Sequence, residues 1–130
     1  MSDAQATDGA PGEVARALVE AVFRDDHAAA VSFCTPDLVL RIEGIQEVRG
    51  HEGLRHLMEF NAEVSTDVHV TIHHVLGSGD TAALNRTTFL TIGGTHVALE
   101  VGAFFTMRDG LVAEWTDYQD MRAVTRALGH

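Results

Sequence analysis

Two charged residues in the second half of the chain stand among apolar neighbours, and their types could perform acid–base chemistry. Asp117 lies in the segment 114–120, and Arg86 lies in the segment 84–88. Because side chains alternate along a strand, both charges fall on faces that are otherwise largely apolar. A lone buried charge is costly, so the two are expected to meet each other on the wall of a concave pocket. The pattern predicts Asp117 as a proton acceptor that Arg86 keeps ionised, with a purely structural ion pair as the alternative.

A second candidate acid or base is His74. Val68, Val70 and Ile72 alternate along the same run and place His74 on the apolar face of its strand. A bulge would place His73 there instead, because a slip of one residue exchanges the two faces. The alternative is a histidine that is satisfied in the core or at a dimer interface.

The chain holds eight histidines, but their spacing does not predict a metal site. His69 and His73 would lie about 13 Å apart along a strand. His51 and His56 face different sides of a predicted helix, and no Cys or Asp completes a cluster around them. We therefore expect no metal.

The elements that position these residues are helices first and strands afterwards. Helices are predicted from Pro11 to the break at Asp25-Asp26, from His27 to Phe33 and from Gly50 to about Ala62, with an early strand at 38–42. Four β-rich runs with short Gly-containing turns follow, at about 67–76, 81–92, 95–107 and 111–119, and a short helix closes the chain at about 120–128. This order predicts an α+β fold, in which three N-terminal helices wrap a curved antiparallel sheet and leave a conical pocket.

Length and composition indicate one folded unit. The chain has 130 residues and is 45% hydrophobic, which suffices for one core and not for two. Residues 1–10 show no periodicity and are predicted to be a disordered leader, so the domain is expected at 11–130. Cys34 is the only cysteine, which excludes an intramolecular disulfide and a thiolate metal cage.

The charge balance limits the classes of partner. With 19 acidic and 9 basic residues the formal net charge is −10, which repels phosphate backbones and anionic membranes. We therefore expect no nucleic acid and no membrane as partners. The start of the chain carries no signal-peptide pattern, and no later run approaches about 20 apolar residues, so the expected location is the cytoplasm.

The element order resembles the nuclear transport factor 2-like fold. The segment 107–112 leading into 115–120, the mid-strand Arg86 and the segment 37–39 are similar to the limonene-1,2-epoxide hydrolase-like and SnoaL-like branch of that fold, over roughly residues 11–128. The resemblance implies a conical pocket for a small hydrophobic molecule, no cofactor and a homodimer. Because this fold hosts many functions, the motif marks the fold better than the activity.

The resemblance also assigns roles to particular residues. In the epoxide hydrolases of this branch, one Asp is the base on a water, another is the acid on the epoxide oxygen, and an Arg bridges them. Asp117 matches the base and Arg86 the bridge, but the position of the acid is held by Thr88. The Tyr and Asn that hold the water correspond to Leu40 and Ile42, so both the proton donor and the water site differ here.

The sequence therefore favours a small-molecule enzyme of the SnoaL-like cyclase or isomerase type, in which Asp117 is the general base on an apolar organic substrate. One alternative is an epoxide hydrolase of the limonene-1,2-epoxide type with an altered acid, such as His74. Another is a non-catalytic ligand-binding or dimerisation domain. The predicted pocket residues are Leu40, Ile42, Thr88, Leu90, Leu99, Val101 and Gln119.

Overall fold

A computed structural model describes residues 2–129, with side chains from residue 10 onward. In this part of the chain, the helices and strands are α1 (Ser2–Phe23), α2 (His27–Ser32), β1 (Cys34–Ile42), β2 (Gln46–Arg49), α3 (Gly50–Val64), β3 (Thr66–Ser78), β4 (Thr81–Ile92), β5 (Thr95–Arg108), β6 (Leu111–Gln119) and α4 (Arg122–Ala127). The predicted α+β class, with three helices before a long meander and a short helix after it, is confirmed. None of the described helices is long and apolar enough to cross a membrane.

The strands form one sheet in the order β2-β1-β6-β5-β4-β3. The predicted meander of β3 to β6 is antiparallel throughout, β1 and β2 are also antiparallel, and β1 runs parallel to β6. Parallel neighbours need a long connection, and here the whole of β2, α3 and the meander separates β1 from β6 in sequence. This return brings the early strand beside the strand that carries Asp117.

One strand was not predicted from the sequence. The short strand β2 pairs with β1, with Ile42 opposite Gln46 and Val39 opposite Arg49. Most of its residues are exposed, so it lacks the apolar alternation that marks a half-buried strand. The turn between the two strands uses Gly44 at φ +78°, a left-handed conformation that glycine adopts without strain.

The first helix begins at Ser2, ahead of the predicted start at Pro11. Of the predicted leader at 1–10, Met1 lies outside the described residues, and residues 2–9 are described only in their backbone. Beyond Pro11, the helix buries Ala15, Leu18 and Val19 completely. This apolar stripe packs on the sheet and forms the main core together with side chains of β1, α3, β4, β5 and β6.

The register of the meander decides how the two charges approach each other. On β5, which lies between β4 and β6, Val101 is opposite Arg86 and Ala103 is opposite Asp117. The two charged residues are therefore separated by one intervening strand and offset along it. The long Arg86 side chain spans β5 to reach Asp117, and Ala103, the β5 residue opposite Asp117, is small and completely buried.

Candidate active site

Arg86 and Asp117 form a two-point ion pair in the interior. Nη1 of Arg86 donates to Oδ1 of Asp117 at 3.2 Å, and Nη2 donates to Oδ2 at 2.7 Å. Arg86 is 2% exposed and Asp117 is 4% exposed. A fork of two parallel hydrogen bonds fixes the orientation of the carboxylate as well as balancing its charge.

Other side chains complete this polar group. Nε1 of Trp115 donates to Oδ1 of Asp117 at 2.6 Å, and Nε of Arg86 donates to Oγ1 of Thr88 at 3.3 Å. The Arg86 guanidinium carbon also lies 5.2 Å from the centroid of the Phe23 ring, at the end of α1, within the range of a cation–π contact. We define Arg86, Thr88, Trp115 and Asp117 as the inner cluster.

Sequence reasoning missed the roles of Trp115 and Phe23. A signal existed for Trp115, because it lies two residues before Asp117 on the same strand face and its indole is a donor that needs an acceptor when buried. No local signal existed for Phe23. Its contact with Arg86 depends on how α1 packs against the sheet, which the local pattern does not specify.

The two carboxylate oxygens of Asp117 differ in how many donors they meet. Oδ1 accepts from both Arg86 and Trp115, whereas Oδ2 accepts only from Arg86 among the described residues. A carboxylate oxygen has two lone pairs, so Oδ2 keeps one free for a further donor. Oδ2 is therefore the atom of this carboxylate that can accept a proton without first losing a partner.

The inner cluster lies on the wall of a cavity of about 580 Å³. This volume lies within the range of small-molecule sites, and the walls are mainly apolar with a few polar groups, as is typical of such sites. Six of the seven predicted pocket residues line it: Leu40, Ile42, Thr88, Leu90, Leu99 and Gln119. Asp117 and Arg86 line the same cavity, so the structure brings the predicted base, its arginine partner and most of the predicted pocket together.

The remaining predicted pocket residue, Val101, does not line the cavity. It lies on the predicted face of β5 but is buried with Val97 and Leu99 in a second apolar cluster. Side chains of α4, including Val124 and Ala127, pack against that cluster. Strand alternation predicted the face correctly, but it could not show that α4 covers this part of it.

Neither histidine of the His73-His74 pair lies in the cavity, which corrects the predicted position of His74. Ile72 is opposite Arg86 and His74 is opposite Asn85, so His73 is the extra residue of a bulge. After the bulge the inward position passes to Val75, which packs against the core. Both histidines are exposed on the opposite face of the sheet.

On that outer face, the histidines bind side chains of the neighbouring strand. His74 Nδ1 lies 3.1 Å from Oδ1 of Asn85, and His73 Nε2 lies 2.7 Å from Oγ1 of Thr87. Thr87 donates its only proton to Oε1 of Glu100 at 2.9 Å, so it accepts from a protonated Nε2 of His73. The pair thus belongs to a surface network rather than to the site.

The described residues hold no group of three or more His, Cys, Asp or Glu side chains that could bind a metal ion. Cys34 is a buried free thiol in the core, and burial raises its pKa to about 12. It therefore stays a thiol at neutral pH and behaves as an apolar side chain.

Comparisons with known proteins agree with this geometry. A family model described as a SnoaL-like domain matches residues 15–115. No curated protein sequence matches the chain at a significant level. Among solved structures, an LEH-like epoxide hydrolase from M. tuberculosis is 24% identical over 93% of this chain and 90% of its own, with a TM-score of 0.79. An NTF2-like protein of unknown function from Burkholderia pseudomallei is 16% identical over 93% of this chain and 98% of its own, with a TM-score of 0.83. A putative SnoaL-like polyketide cyclase from Shewanella denitrificans is 13% identical over 91% of this chain and 96% of its own, with a TM-score of 0.81. At these identities the likeness establishes the shared fold.

Proposed function

Because the chain belongs to the SnoaL-like domain family, we propose that it is a small-molecule enzyme in which Asp117 is the general base on a largely apolar organic substrate. The reaction is a cyclisation or an isomerisation that begins with proton removal from the bound molecule. The observation that carries this proposal is a carboxylate with a free lone pair on Oδ2, fixed by Arg86 on the wall of a 580 Å³ apolar cavity.

The charges of the site suit proton removal from a neutral molecule. Before reaction, Arg86 and Asp117 balance each other in a region with little water. When Oδ2 takes the proton, Asp117 becomes neutral and the substrate carries the negative charge, which Arg86 then balances. The net charge of the cavity interior is the same before and after the step, so the step creates no uncompensated buried charge.

Three features of the cavity favour this reaction over epoxide hydrolysis. Leu40 and Ile42 line the cavity and offer no hydrogen bond to hold a water. Thr88 presents a hydroxyl, which cannot protonate an epoxide oxygen as a carboxylic acid can. His74, the candidate replacement for the acid, lies on the outer face of the sheet. Epoxide opening, the activity named for the M. tuberculosis structure, is therefore the runner-up.

A non-catalytic ligand-binding domain is the second candidate, and one observation favours it. Arg86 and Asp117 satisfy each other and are almost wholly buried, which a structural pair would also be. In either case we infer a small hydrophobic ligand. We also infer a homodimer, because the outer face of the sheet exposes Phe104 and Tyr118, in edge-to-face contact with ring centroids 5.9 Å apart, and Leu76 nearby.

The test compares Asp117→Asn with Asp120→Asn. The first substitution removes the proton acceptor at nearly constant shape, and the second changes a partly exposed Asp outside the cavity. Both variants and the unmodified protein are incubated with a panel of polycyclic ketones and hydrophobic epoxides. Product formation is followed by mass spectrometry, and binding is followed by fluorescence of Trp115, the only tryptophan.

We expect Asp117→Asn to lose turnover by at least about a thousandfold while it still binds the ligands, and Asp120→Asn to match the unmodified protein. Equal turnover by Asp117→Asn and the unmodified protein would overturn the base role. Conversion of epoxides to diols with no reaction of ketones would establish the runner-up instead. Binding by all variants with no turnover of any compound would establish the ligand-binding domain.

A further inference from the structure

The hydroxyl oxygen of Thr88 accepts a hydrogen bond, whereas the hydroxyl proton is free to be donated. Its oxygen accepts from Nε of Arg86 at 3.3 Å. Among the described residues, the hydroxyl donates no hydrogen bond in return. Thr88 is 6% exposed and lines the same cavity as Asp117. A buried donor without a partner is costly, so this proton is available to a ligand in the cavity.

The free proton is also polarised by a charge. A cation that donates to a hydroxyl oxygen draws electron density from it and makes its own proton a stronger donor. Arg86 therefore has two separate functions in the inner cluster. Its two Nη groups orient Asp117, and its Nε strengthens the hydrogen bond that Thr88 can give.

We infer that Thr88 is a substrate-contacting residue that donates to a carbonyl oxygen of a neutral carbon acid. This inference rests on the proposed base role of Asp117 and specifies the substrate class. Oδ2 of Asp117 takes a proton from a carbon that is conjugated with the carbonyl group. The C–H electron pair moves into the conjugated system, and the carbonyl oxygen becomes an enolate oxygen that accepts from Thr88. Return of this proton to another carbon completes an isomerisation. In deuterated water, the Asp117 carboxyl exchanges its proton for a deuteron from the solvent, and return of that deuteron to the same carbon completes the exchange.

The same arrangement selects against acids. Arg86 is the buried cation of the cluster, and Asp117 already balances it. A carboxylate ligand at Thr88 would add a second negative charge near Asp117 in a region of low dielectric, which is unfavourable. A ketone offers the same acceptor oxygen without the charge. The site is therefore expected to prefer a ketone over both a carboxylate and a hydrocarbon of the same ring size.

The chain offers a matched set of variants for the test. Thr88→Val removes the hydroxyl at constant shape, and Thr88→Ser keeps it. Thr87→Val makes the same change one residue earlier, on the outer face of β4, outside the cavity. The probes are anthrone, which combines a carbonyl with an acidic methylene, dihydroanthracene, which lacks the oxygen, and anthracene carboxylate. Quenching of Trp115 fluorescence gives the affinities, and deuterium exchange at the anthrone methylene gives the rate.

We expect the unmodified protein to bind anthrone more tightly than either other probe. Thr88→Val should lose about two- to tenfold in affinity for anthrone and keep its affinity for dihydroanthracene. It should also exchange deuterium at least about tenfold more slowly, because the hydrogen bond strengthens as charge develops on the oxygen. Thr88→Ser and Thr87→Val should resemble the unmodified protein in both measurements.

Two results separate this inference from the function on which it rests. If Asp117→Asn abolishes exchange but Thr88→Val keeps the full preference for anthrone and the full rate, the role of Thr88 is overturned and the base role stands. If Asp117→Asn exchanges as fast as the unmodified protein, the base role fails. In that case, a loss of anthrone preference in Thr88→Val would still establish Thr88 as the donor to the ligand oxygen.

Discussion

Two aspartates near the end of β6 form similar ion pairs in different surroundings. Asp117 accepts from Nη1 and Nη2 of Arg86, and Asp120 accepts from Nε and Nη2 of Arg122 at 2.9 and 2.7 Å. The Arg86 and Asp117 side chains are 2% and 6% exposed, whereas those of Arg122 and Asp120 are 81% and 37% exposed. Hydrogen-bond geometry alone would not tell the two pairs apart.

Burial, and not the number of hydrogen bonds, decides what such a pair can do. In water the exposed pair is screened, and either partner can be solvated if the other is lost. In the interior, each partner is the main compensation for the other's charge, so removal of one leaves a charge without solvent. Only the buried pair lines a cavity where a change of protonation can be passed to a bound molecule.

The largest expected effect follows from removing the cation of the buried pair. Arg86→Met leaves Asp117 buried without its main partner, and we expect the free energy of unfolding to fall by about 3–5 kcal/mol. Urea denaturation followed by circular dichroism measures the change. Arg122→Met is the matched control, because it makes the same replacement at the exposed pair, and it should lower the free energy of unfolding by no more than about 1 kcal/mol.

A double variant excludes a purely steric explanation. Arg86→Met combined with Asp117→Leu removes both charges and should recover most of the lost stability, since apolar side chains of similar volume can replace a buried pair. If the double variant is as unstable as Arg86→Met alone, the loss comes from packing of the long side chain and not from the uncompensated carboxylate.

A smaller effect is expected from the third donor of the buried carboxylate. Trp115→Phe keeps an aromatic ring but removes the Nε1 hydrogen bond to Asp117, and hydrogen bonds to charged groups are worth about 1.5–3 kcal/mol. The same substitution in the Arg86→Met, Asp117→Leu background has no carboxylate to lose and should destabilise the protein less. Urea denaturation of the four proteins gives the coupling as a double-mutant cycle. An equal loss in both backgrounds would attribute the effect to ring size.

Part of this site can be predicted from the sequence alone. Alternation along β4 and β6 was enough to predict that Arg86 and Asp117 share an apolar face, because the period of a strand is two wherever the strand is regular. It failed for His74, because one extra residue in β3 moved the inward position to Val75. Bulges have no strong local signature in such a run, and they exchange the faces for every residue that follows.

Other parts of the site depend on packing between distant elements. Val101 is on the predicted face, but α4 covers it, and nothing in the strand pattern specifies where a C-terminal helix will pack. Phe23 approaches Arg86 only because α1 lies across the sheet. The early strand was predicted, yet its parallel pairing with β6 was not. The sequence between the two strands does not specify whether they run parallel or antiparallel. The sequence thus predicts which face of a regular strand a residue lies on, but it does not predict which helix packs against that face.

The smallest expected effect belongs to the exposed pair and is lost in acid. The Arg122 guanidinium, which hydrogen-bonds Asp120, lowers the pKa of that carboxyl to about 2. A carboxyl whose pKa is lower in the folded state stabilises the fold at pH values above its usual pKa, and this contribution is lost as the pH falls through the folded-state pKa.

The urea midpoints of the unmodified protein and Asp120→Asn should therefore differ slightly at about pH 6, converge between about pH 4 and pH 2, and differ less in about 1 M salt. In the Arg122→Met background the difference should shrink, because the guanidinium hydrogen bonds are absent while the bond from the backbone N–H of residue 122 and the charge of Arg126 remain. A difference of undiminished size there would show that the Arg122 side chain does not stabilise Asp120, and the exposed pair would then no longer serve as the solvated counterpart of Arg86 and Asp117.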